Sequence, residues 1–309
     1  MASQQDRNAD AISQAQLLAE AAEVVPARQA SLWGDAWRRL LKNKLAVVGL
    51  ATVILLGLLA VFAPLLAPYG PAEVVSPDLR LMKPSWNFPL GLDQNGRDMY
   101  SRMLYGARVS LLVGVVAQLI VLGIGVPIGA VAGYYSGTVD NALMRTVDVF
   151  YAIPQLLLVL LMVNMLGPGM KNIFIAIGLT GWVTMARLVR GVMLTNREQE
   201  YVKASKVAGA GSGYIILRHM LPNSLTPIIV ALTFGIPQAI FIEASLSFVG
   251  VGIRPPQPSW GQMVGAGQQY IQSVQHLMFF PSLAIAITML AFTFLGDGLR
   301  DALDVKMND

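Results

Sequence analysis

The chain has 309 residues, of which 55% are hydrophobic and 13% charged, with a mean hydropathy of +0.57 and a formal net charge of +4. Soluble domains carry about 25% charged residues, so this composition excludes an ordinary soluble protein and indicates an integral membrane protein. The absence of cysteine excludes disulfides, thiolate metal sites and cysteine nucleophiles.

The N-terminal region divides into a tail and a basic helix. Residues 1–30 are polar and alanine-rich without an apolar core segment, which predicts a loosely ordered tail and no cleavable signal peptide. Residues 31–44, SLWGDAWRRLLKNK, predict an amphipathic helix in the membrane interface. Its apolar face carries Trp33, Trp37, Leu40 and Leu41. A plain basic flank of the next helix is the alternative.

Six apolar segments follow, each long enough to cross a hydrocarbon core that needs about 20 residues. They are residues 45–67, 109–134, 149–166, 173–194, 221–243 and 277–296. The predicted fold is therefore an all-α polytopic membrane protein with six transmembrane helices. Residues 68–107 form one segment between crossings, and residues 299–309 follow the last crossing.

The distribution of basic residues predicts the orientation of these crossings. An even number of crossings places both termini on one side, and fifteen of the 22 lysines and arginines fall on that side. We therefore expect cytoplasmic N- and C-termini and an extracytoplasmic segment at 68–107. Because the basic residues flank apolar runs, we expect them to contact the lipid bilayer and no nucleic acid.

A polar segment, residues 195–223 (TNREQEYVKASKVAGAGSGYIILRHMLPN), separates the fourth and fifth apolar runs and is called the island below. Thr195 and Glu198 fit a capping box, and three glycines predict a turn between two short helices. One face of the first helix has little side-chain bulk and carries Tyr201, Ala204, Ser205 and Ala208 at helical spacing. The island is a solvated loop, a DNA-binding helix-turn-helix or a docking element. Membrane spans on both sides disfavour DNA binding, because they hold the island against the bilayer.

Ionisable residues near the apolar runs are few. Arg145 and Asp148 are three positions apart, which predicts an ion pair within one helix. Glu243, at the end of the fifth run, is expected either to line a passage or to pair with a basic residue. The chain has no ladder of intramembrane acids and histidines, which disfavours coupling to protons.

The sequence lacks the signatures of an enzyme. It contains no GxxxxGK[ST] phosphate loop, no HExxH zinc pair and no GxSxG elbow, and its two histidines lie far apart in the sequence. We therefore expect no catalytic residue, no metal and no cofactor in this chain. If transport is active, its energy enters through a partner, and the island is the predicted site of entry.

The island resembles the cytoplasmic coupling loop of bacterial ABC-importer permeases, whose pattern is EAA, three residues, G, nine residues, then I-x-L-P. The frame falls on Lys203, Ala204, Ser205, Gly209, His219, Leu221 and Pro222. The glycine and the Leu-Pro pair match in register, whereas lysine, serine and histidine replace the glutamate, the second alanine and the isoleucine.

Five longer segments look like the C-type permease of dipeptide, oligopeptide and nickel ABC transporters. They are LWGDAWRRLLKNKLAVVGL, PLGLDQNGRDMYSRMLYGARVSLLVG, ARLVRGVMLTNREQEYVKA, EASLSFVGVGIRPPQPSWGQM and FLGDGLRDALDVK. The resemblance implies a type I ABC importer transmembrane domain over residues 108–298, located in the bacterial cytoplasmic membrane. It also implies four partners of this half-pore: a second, B-type permease, two ATP-binding subunits and an extracytoplasmic solute-binding protein.

The resemblance also selects candidate site residues. Those expected to dock an ATP-binding subunit are Glu200, Tyr201, Ala204, Ser205, Ala208, Gly209, Leu221 and Pro222. Those considered for contact with an outside partner are Asp93, Gly96, Arg97 and Asp98. A packed loop that closes the helix bundle is the alternative for the second set. The rival functions are a secondary transporter or channel and a membrane-bound signalling or scaffold protein, and the transported solute is left open.

Overall fold

The computed structural model describes residues 32–167 and 169–304. The predicted tail at 1–30, the side chain of Trp33 and the last five residues of the C-terminal segment lie outside the described part. The helices are α1 (Leu32–Lys42), α2 (Lys44–Val61), α3 (Ala63–Leu66), α4 (Met99–Tyr135), α5 (Gly137–Tyr151), α6 (Gln155–Leu166), α7 (Met170–Arg197), α8 (Glu200–Val207), α9 (Ser212–Tyr214), α10 (Leu225–Phe248), α11 (Trp260–Gly267) and α12 (His276–Leu303). A wider π-helical segment, Ile215–Met220, continues α9, and short 3-10 turns lie at Pro77–Leu79, Pro222–Ser224 and Gln268–Tyr270.

Asn43 separates the interfacial helix from the first crossing. Its side-chain oxygen accepts hydrogen bonds from the backbone N–H groups of Leu45 at 3.1 Å and Ala46 at 3.3 Å, which caps α2. The predicted helix at 31–44 is thus present as α1, but its apolar face is divided. Leu40 is buried against α12, whereas Trp37 is exposed.

Four helices, α2, α4, α7 and α12, and the segment Pro222–Phe248 that includes α10 are long and apolar enough to cross a membrane. Helices α5 and α6 meet at an angle of 84° and supply the sixth crossing when counted together. The prediction of one continuous third helix over 149–166 is therefore wrong. Pro154 explains the break, because proline disfavours the helical conformation of the residue before it and donates no backbone hydrogen bond.

Helix α4 begins ten residues before the predicted crossing at 109. The carboxylate of Asp98 accepts a hydrogen bond from the backbone N–H of Ser101 at 2.8 Å and so caps the helix. The resulting 37 residues rise by about 55 Å, well beyond a hydrocarbon core of about 30 Å. The first turns of α4 therefore lie outside the span and contribute to the loops at that end.

Helices α4 and α7 form the most extensive contact between helices in the described chain. Three glycines of α4, Gly125, Gly129 and Gly133, called the glycine row below, face α7. A Cβ atom at Gly129 would lie 2.4 Å from the carbonyl oxygen of Ala186, and one at Gly133 would lie 2.5 Å from Cβ of Met193. Such spacing of small residues lets two membrane helices approach closely. Because residue numbers rise together along the contact, the two helices are parallel.

Two ion pairs tie α5 to α7. The guanidinium of Arg190 donates to both carboxylate oxygens of Asp140 at 2.5 and 2.6 Å, and Arg187 donates to Asp148 at 2.5 Å. The predicted pair between Arg145 and Asp148 within one helix is therefore wrong. Helix α5 packs against α7, and this brings arginines from the neighbouring helix nearer than the arginine on the same helix.

The described termini lie at the same end of the bundle as the island. Helix α12 runs antiparallel to α2, since Gly298 meets Ala46 whereas Gly49 meets Ala291. Helix α10 begins directly after the island and runs antiparallel to α12, since Phe234 meets Gly296 whereas Phe241 lines one pocket with Ile285. Both α7 and α12 therefore run toward the island, which agrees with the predicted even number of crossings.

We predict that Gly129→Ala separates α4 from α7, because the added methyl group would overlap the backbone of Ala186. The expected loss is about 1–3 kcal/mol, the usual effect of overpacking. Gly123→Ala is the matched control, since a Cβ atom at Gly123 meets nothing within 4 Å. Thermal unfolding of the purified protein in detergent measures both. A Gly129→Ala melting temperature equal to that of the control would contradict the close contact.

Candidate functional site

The island is fixed to the bundle by three fully buried side chains. Val202 extends inward from α8, and Ile215 and Met220 extend inward from the segment after the turn. All three belong to one apolar cluster with Val189 and Met193 of α7. Burying each such side chain stabilises the contact by about 1.5–3 kcal/mol. The island therefore cannot leave α7 without exposing this cluster.

Polar contacts strengthen the same junction. The side-chain amide of Asn196 donates to the hydroxyl of Ser224 at 3.0 Å, and that hydroxyl donates to the carbonyl oxygen of Met220 at 2.8 Å. The ammonium group of Lys206 lies 5.3 Å from the centre of the Tyr134 ring, within range of a cation–π contact with α4. Side chains of α4, α7 and α8 and of the chain entering α10 thus meet at the base of the island.

The opposite side of the island faces away from the bundle. The exposed members of the predicted docking set are Glu200, Tyr201, Ala204, Ala208, Gly209 and Pro222. Ser205 and Leu221 are half-buried, and the Ser205 hydroxyl donates to the carbonyl oxygen of Tyr201 at 2.8 Å. Partial burial raises the pKa of Tyr201, against a hydrogen bond with Asn223 that lowers it. The phenol of Tyr201 is therefore neutral near pH 7. The other exposed residues of α8 in this set include the small Ala204 and Ala208.

Sequence reasoning missed three exposed apolar side chains on the island. Val207 is 91% exposed, Leu217 is 68% exposed and Tyr214 is 58% exposed. Exposed apolar side chains that cluster on one segment mark interaction surfaces. The sequence signal that could have identified them is the presence of large apolar side chains in an otherwise polar segment.

The predicted capping box at the start of the island is wrong. Helix α7 continues to Arg197, so Thr195 lies inside its last turn and its hydroxyl donates to the carbonyl oxygen of Gly191 at 3.3 Å. Helix α8 begins at Glu200, and no side-chain hydrogen bond caps it. Only two residues, Glu198 and Gln199, lie between the end of α7 and the start of α8, so the connection is short.

The turn after α8 depends on Gly209. Its φ of +78° lies in the left-handed region that residues with a Cβ atom rarely adopt. Its N–H donates to the carbonyl oxygen of Lys206 at 3.0 Å, and the next N–H, of Ala210, donates to Ser205 at 3.0 Å. These bonds close the end of α8 in the manner of a glycine cap. The predicted two short helices around a glycine turn are confirmed.

At the other end of the bundle, the four residues considered for contact with an outside partner are buried. Asp93, Arg97 and Asp98 are 3%, 5% and 3% exposed, and Gly96 is buried as well. The carboxylate of Asp93 accepts from Nε of Arg97 at 2.8 Å and lies 3.4 Å from Nε of Arg102. These contacts match the packed-loop alternative. Contact with a partner stays a prediction for all four.

A line of hydrogen bonds continues from Arg102 to Glu243. Arg102 donates to the side-chain oxygen of Gln262 at 3.0 Å, and the backbone N–H of Gln262 donates to the hydroxyl of Ser259 at 3.0 Å. The hydroxyls of Ser259 and Ser247 each donate to the same carboxylate oxygen of Glu243 at 2.7 Å. This line fastens α11 to α4 and α10.

Glu243 is completely buried, and α10 continues past it to Phe248. Among the described residues its hydrogen-bond partners are the two serines, so the predicted pairing with a basic residue is wrong. A cavity of about 390 Å³ lies between α4, α7 and α10, and Glu243 does not line it. A pore-lining role for Glu243 in the assembled protein stays a prediction.

Two family models match the chain. One is described as "Binding-protein-dependent transport system inner membrane component" and matches residues 125–309. The other is described as "N-terminal TM domain of oligopeptide transport permease C" and matches residues 31–84. Together the two matches include the basic helix α1, the first crossing and the island.

Curated relatives are similar over nearly the whole chain. The dipeptide transport system permease protein DppC of Bacillus subtilis is 47% identical over 88% of this chain and 85% of its own. The oligopeptide transport system permease protein OppC of the same organism is 41% identical over 93% of both chains. The glutathione transport system permease protein GsiD of Pectobacterium atrosepticum is 40% identical over 89% of this chain and 91% of its own.

A solved structure shares the fold. A chain of the MetNI methionine ABC transporter in an inward-facing conformation superimposes with a TM-score of 0.55 at 20% sequence identity. The match covers 66% of this chain and 97% of the other.

We predict that Glu243→Leu destabilises the junction of α10 and α11, because it leaves two buried serine hydroxyls without their acceptor. The expected loss is about 1–3 kcal/mol. Glu243→Gln is the control, since the amide keeps an acceptor oxygen of the same shape. Thermal unfolding and limited proteolysis between residues 249 and 259 measure the effect. Equal losses in both variants would refute the hydrogen-bonding role.

Proposed function

This chain belongs to the family of binding-protein-dependent transport system inner membrane components, and we propose that it forms half of the pore of an ATP-driven peptide importer. It acts as a permease subunit and performs no chemistry itself. The similarity of nearly the full chain to dipeptide, oligopeptide and glutathione permeases supports peptides as the solute class.

The proposed location is the bacterial cytoplasmic membrane, with the island and both termini in the cytoplasm. The positive-inside rule supports this orientation, because most lysines and arginines fall at the island end. Residues 68–107 and 249–259 then face the extracytoplasmic side, where a solute-binding protein delivers its ligand.

One observation carries the coupling role: α8 is buried on one side through Val202 and exposed on the other. An exposed short helix suits a groove in an ATP-binding subunit. The proposed docking surface consists of the exposed predicted residues together with Val207, Tyr214 and Leu217. When the two ATP-binding subunits close, they displace the island, and α7 and α10 transmit the displacement to the pore.

The complete assembly contains this chain, a second permease of the B type, two ATP-binding subunits and the solute-binding protein. On the extracytoplasmic side, Trp86 is the strongest candidate for contact with the solute-binding protein, since its side chain is fully exposed. Tryptophan is enriched among residues that dominate the energy of protein interfaces. We assign this contact to Trp86 in preference to the buried Asp93, Gly96, Arg97 and Asp98.

Reconstitution tests the function. Proteoliposomes that contain all four membrane components are loaded with ATP, and uptake of a labelled dipeptide is measured in the presence of the solute-binding protein. Uptake that requires both ATP and this chain supports the proposal. Uptake by this chain without ATP-binding subunits would instead identify a secondary transporter or channel.

We predict that Gly209→Val abolishes most of the ATPase stimulation by loaded solute-binding protein, because valine is strained at a φ of +78°. Gly211→Val is the matched control in the same turn. Gly211 has a φ of −67°, and a Cβ atom there meets nothing within 4 Å. Stimulation in Gly209→Val equal to that in the control would contradict the role of this turn in coupling.

Trp86→Ala should raise the concentration of loaded solute-binding protein needed for half-maximal ATPase stimulation by about tenfold, the effect of losing roughly 1.4 kcal/mol at an interface. Maximal stimulation should not change, because Trp86 lies far from the island. Leu79→Ala, at a half-exposed leucine of the same segment, is the control. An unchanged half-maximal concentration in Trp86→Ala would place the contact elsewhere.

A further inference from the structure

The cavity of about 390 Å³ has an unusual lining for a space inside a membrane bundle. Helices α4, α7 and α10 and the first residue of α6 line it, and it is open on one side. Four uncharged polar side chains lie in its wall: Gln118, Gln155, Thr184 and Gln238. The rest of the wall is apolar or glycine, and none of the described residues that line it is ionisable.

These polar side chains lie deep in the membrane. Gln118, Thr184 and Gln238 each stand near the middle of a membrane-spanning helix. Gln155 directly follows the bend between α5 and α6, so the break in that crossing places an amide at the wall. Solute sites of transporters often lie near the bilayer midplane, beside interrupted helices.

Most of their hydrogen-bonding groups are unused within the chain. The amide nitrogen of Gln118 donates to the carbonyl oxygen of Gly235 at 2.9 Å, which fixes its carbonyl end beside the cavity. No hydrogen bond to a described residue is recorded for the side chains of Gln155, Thr184 and Gln238. Polar groups without partners are costly in hydrocarbon, so an aqueous or polar occupant has to cover them.

The carboxamide groups in the wall indicate which class of molecule the cavity can bind. A carboxamide both donates and accepts hydrogen bonds, which complements the N–H and C=O groups of another amide. A wall without ionised groups gives little discrimination between charged ends or charged side chains. Given the proposed importer function, we propose that this cavity is this chain's share of the passage and that Gln155 and Gln238 bind the backbone amides of a passing peptide.

This assignment explains how one passage can serve peptides of different sequence. Backbone amides are common to all peptides, and the apolar part of the wall contacts side chains without selecting among them. Selection among solutes then belongs to the solute-binding protein, whereas the passage selects only for amide groups and size.

Thiol labelling tests whether the cavity is an aqueous passage, and the natural absence of cysteine makes each variant a single-cysteine protein. In the assembled transporter, Gln238→Cys and Thr184→Cys should react with a water-soluble thiol reagent, and a saturating dipeptide with its binding protein should slow the reaction. Leu161→Cys is the control, because Leu161 is exposed on α6 outside the cavity. If Gln238→Cys reacts no faster than Leu161→Cys, the cavity is not the passage.

Charge substitution tests contact with the peptide. Relative to wild type, Gln238→Lys should lower uptake of Ala-Lys against Ala-Glu by about fivefold, and Gln238→Glu should change the ratio in the opposite direction, since a fixed charge in the cavity wall acts on a charge a few ångströms away. Misfolding would lower both uptake rates together and leave their ratio unchanged. Asn164→Lys and Asn164→Glu, on α6 outside the cavity, are the matched controls. A wild-type ratio in both Gln238 variants would overturn the assignment.

Amide recognition has its own test. Gln155→Leu combined with Gln238→Leu should slow dipeptide uptake by about tenfold while ATPase stimulation by the loaded binding protein persists. Unchanged uptake would refute a role for the amides. Failure of the wild-type complex to take up peptide would instead refute the importer function, and thiol labelling would still show whether the cavity is aqueous.

Discussion

The close contact between α4 and α7 is the constraint on which the rest of the structure depends. The glycine row removes the side chains that would keep the two helices apart, so backbone meets backbone over about two and a half helical turns. In a bilayer no hydrophobic force distinguishes helix from lipid, and such packing has to supply the association energy. The ion pair between Asp140 and Arg190 adds α5 to this unit near the island. The result is a parallel pair that ends at the base of the island.

The island is held in place by its packing against the α4 and α7 pair. Because Val202, Ile215 and Met220 fill one cluster with residues of α7, a force on α8 acts on the whole helix. The cavity lies between the same α4 and α7 pair and α10, so any displacement of α10 relative to the pair changes its width. At the far end, the hydrogen bonds from Arg102 to Glu243 hold α11 against α4 and α10. The attachment of the island, the cavity and the contacts of α11 at the far end thus all involve α4, α7 or α10.

The sequence predicted the helical class, most crossings and the two short helices, because hydropathy and glycine placement are local signals. Most of the predicted docking residues are exposed, and their docking role stays a prediction. The sequence-based prediction failed for long polar side chains whose partners lie on other helices. Asp148 bonds to Arg187 of another helix, and Glu243 bonds to Ser259 at the start of α11 as well as to Ser247 of its own helix. The Thr195 capping box failed because α7 stays helical through Arg197, and tertiary packing stabilises helices in proteins more than local signals do. The sequence shows the glycine row as small residues at every fourth position, a pattern typical of helix contacts in membranes. Only the structure shows that this row packs against α7.

The central claim is that the island and α7 move as one body during the ATP cycle. The exposed Arg218 on the π-helical segment of the island, outside the proposed docking surface, and Lys171 at the far end of α7 can both be changed to cysteine, in a chain that has none, and spin-labelled. Helix α7 rises by about 42 Å, which suits distance measurement by pulsed electron resonance. We predict the same distance distribution in nucleotide-free and ATP-bound complexes. A shift of several ångströms between the two states would show that the island moves independently of α7 and would contradict the account.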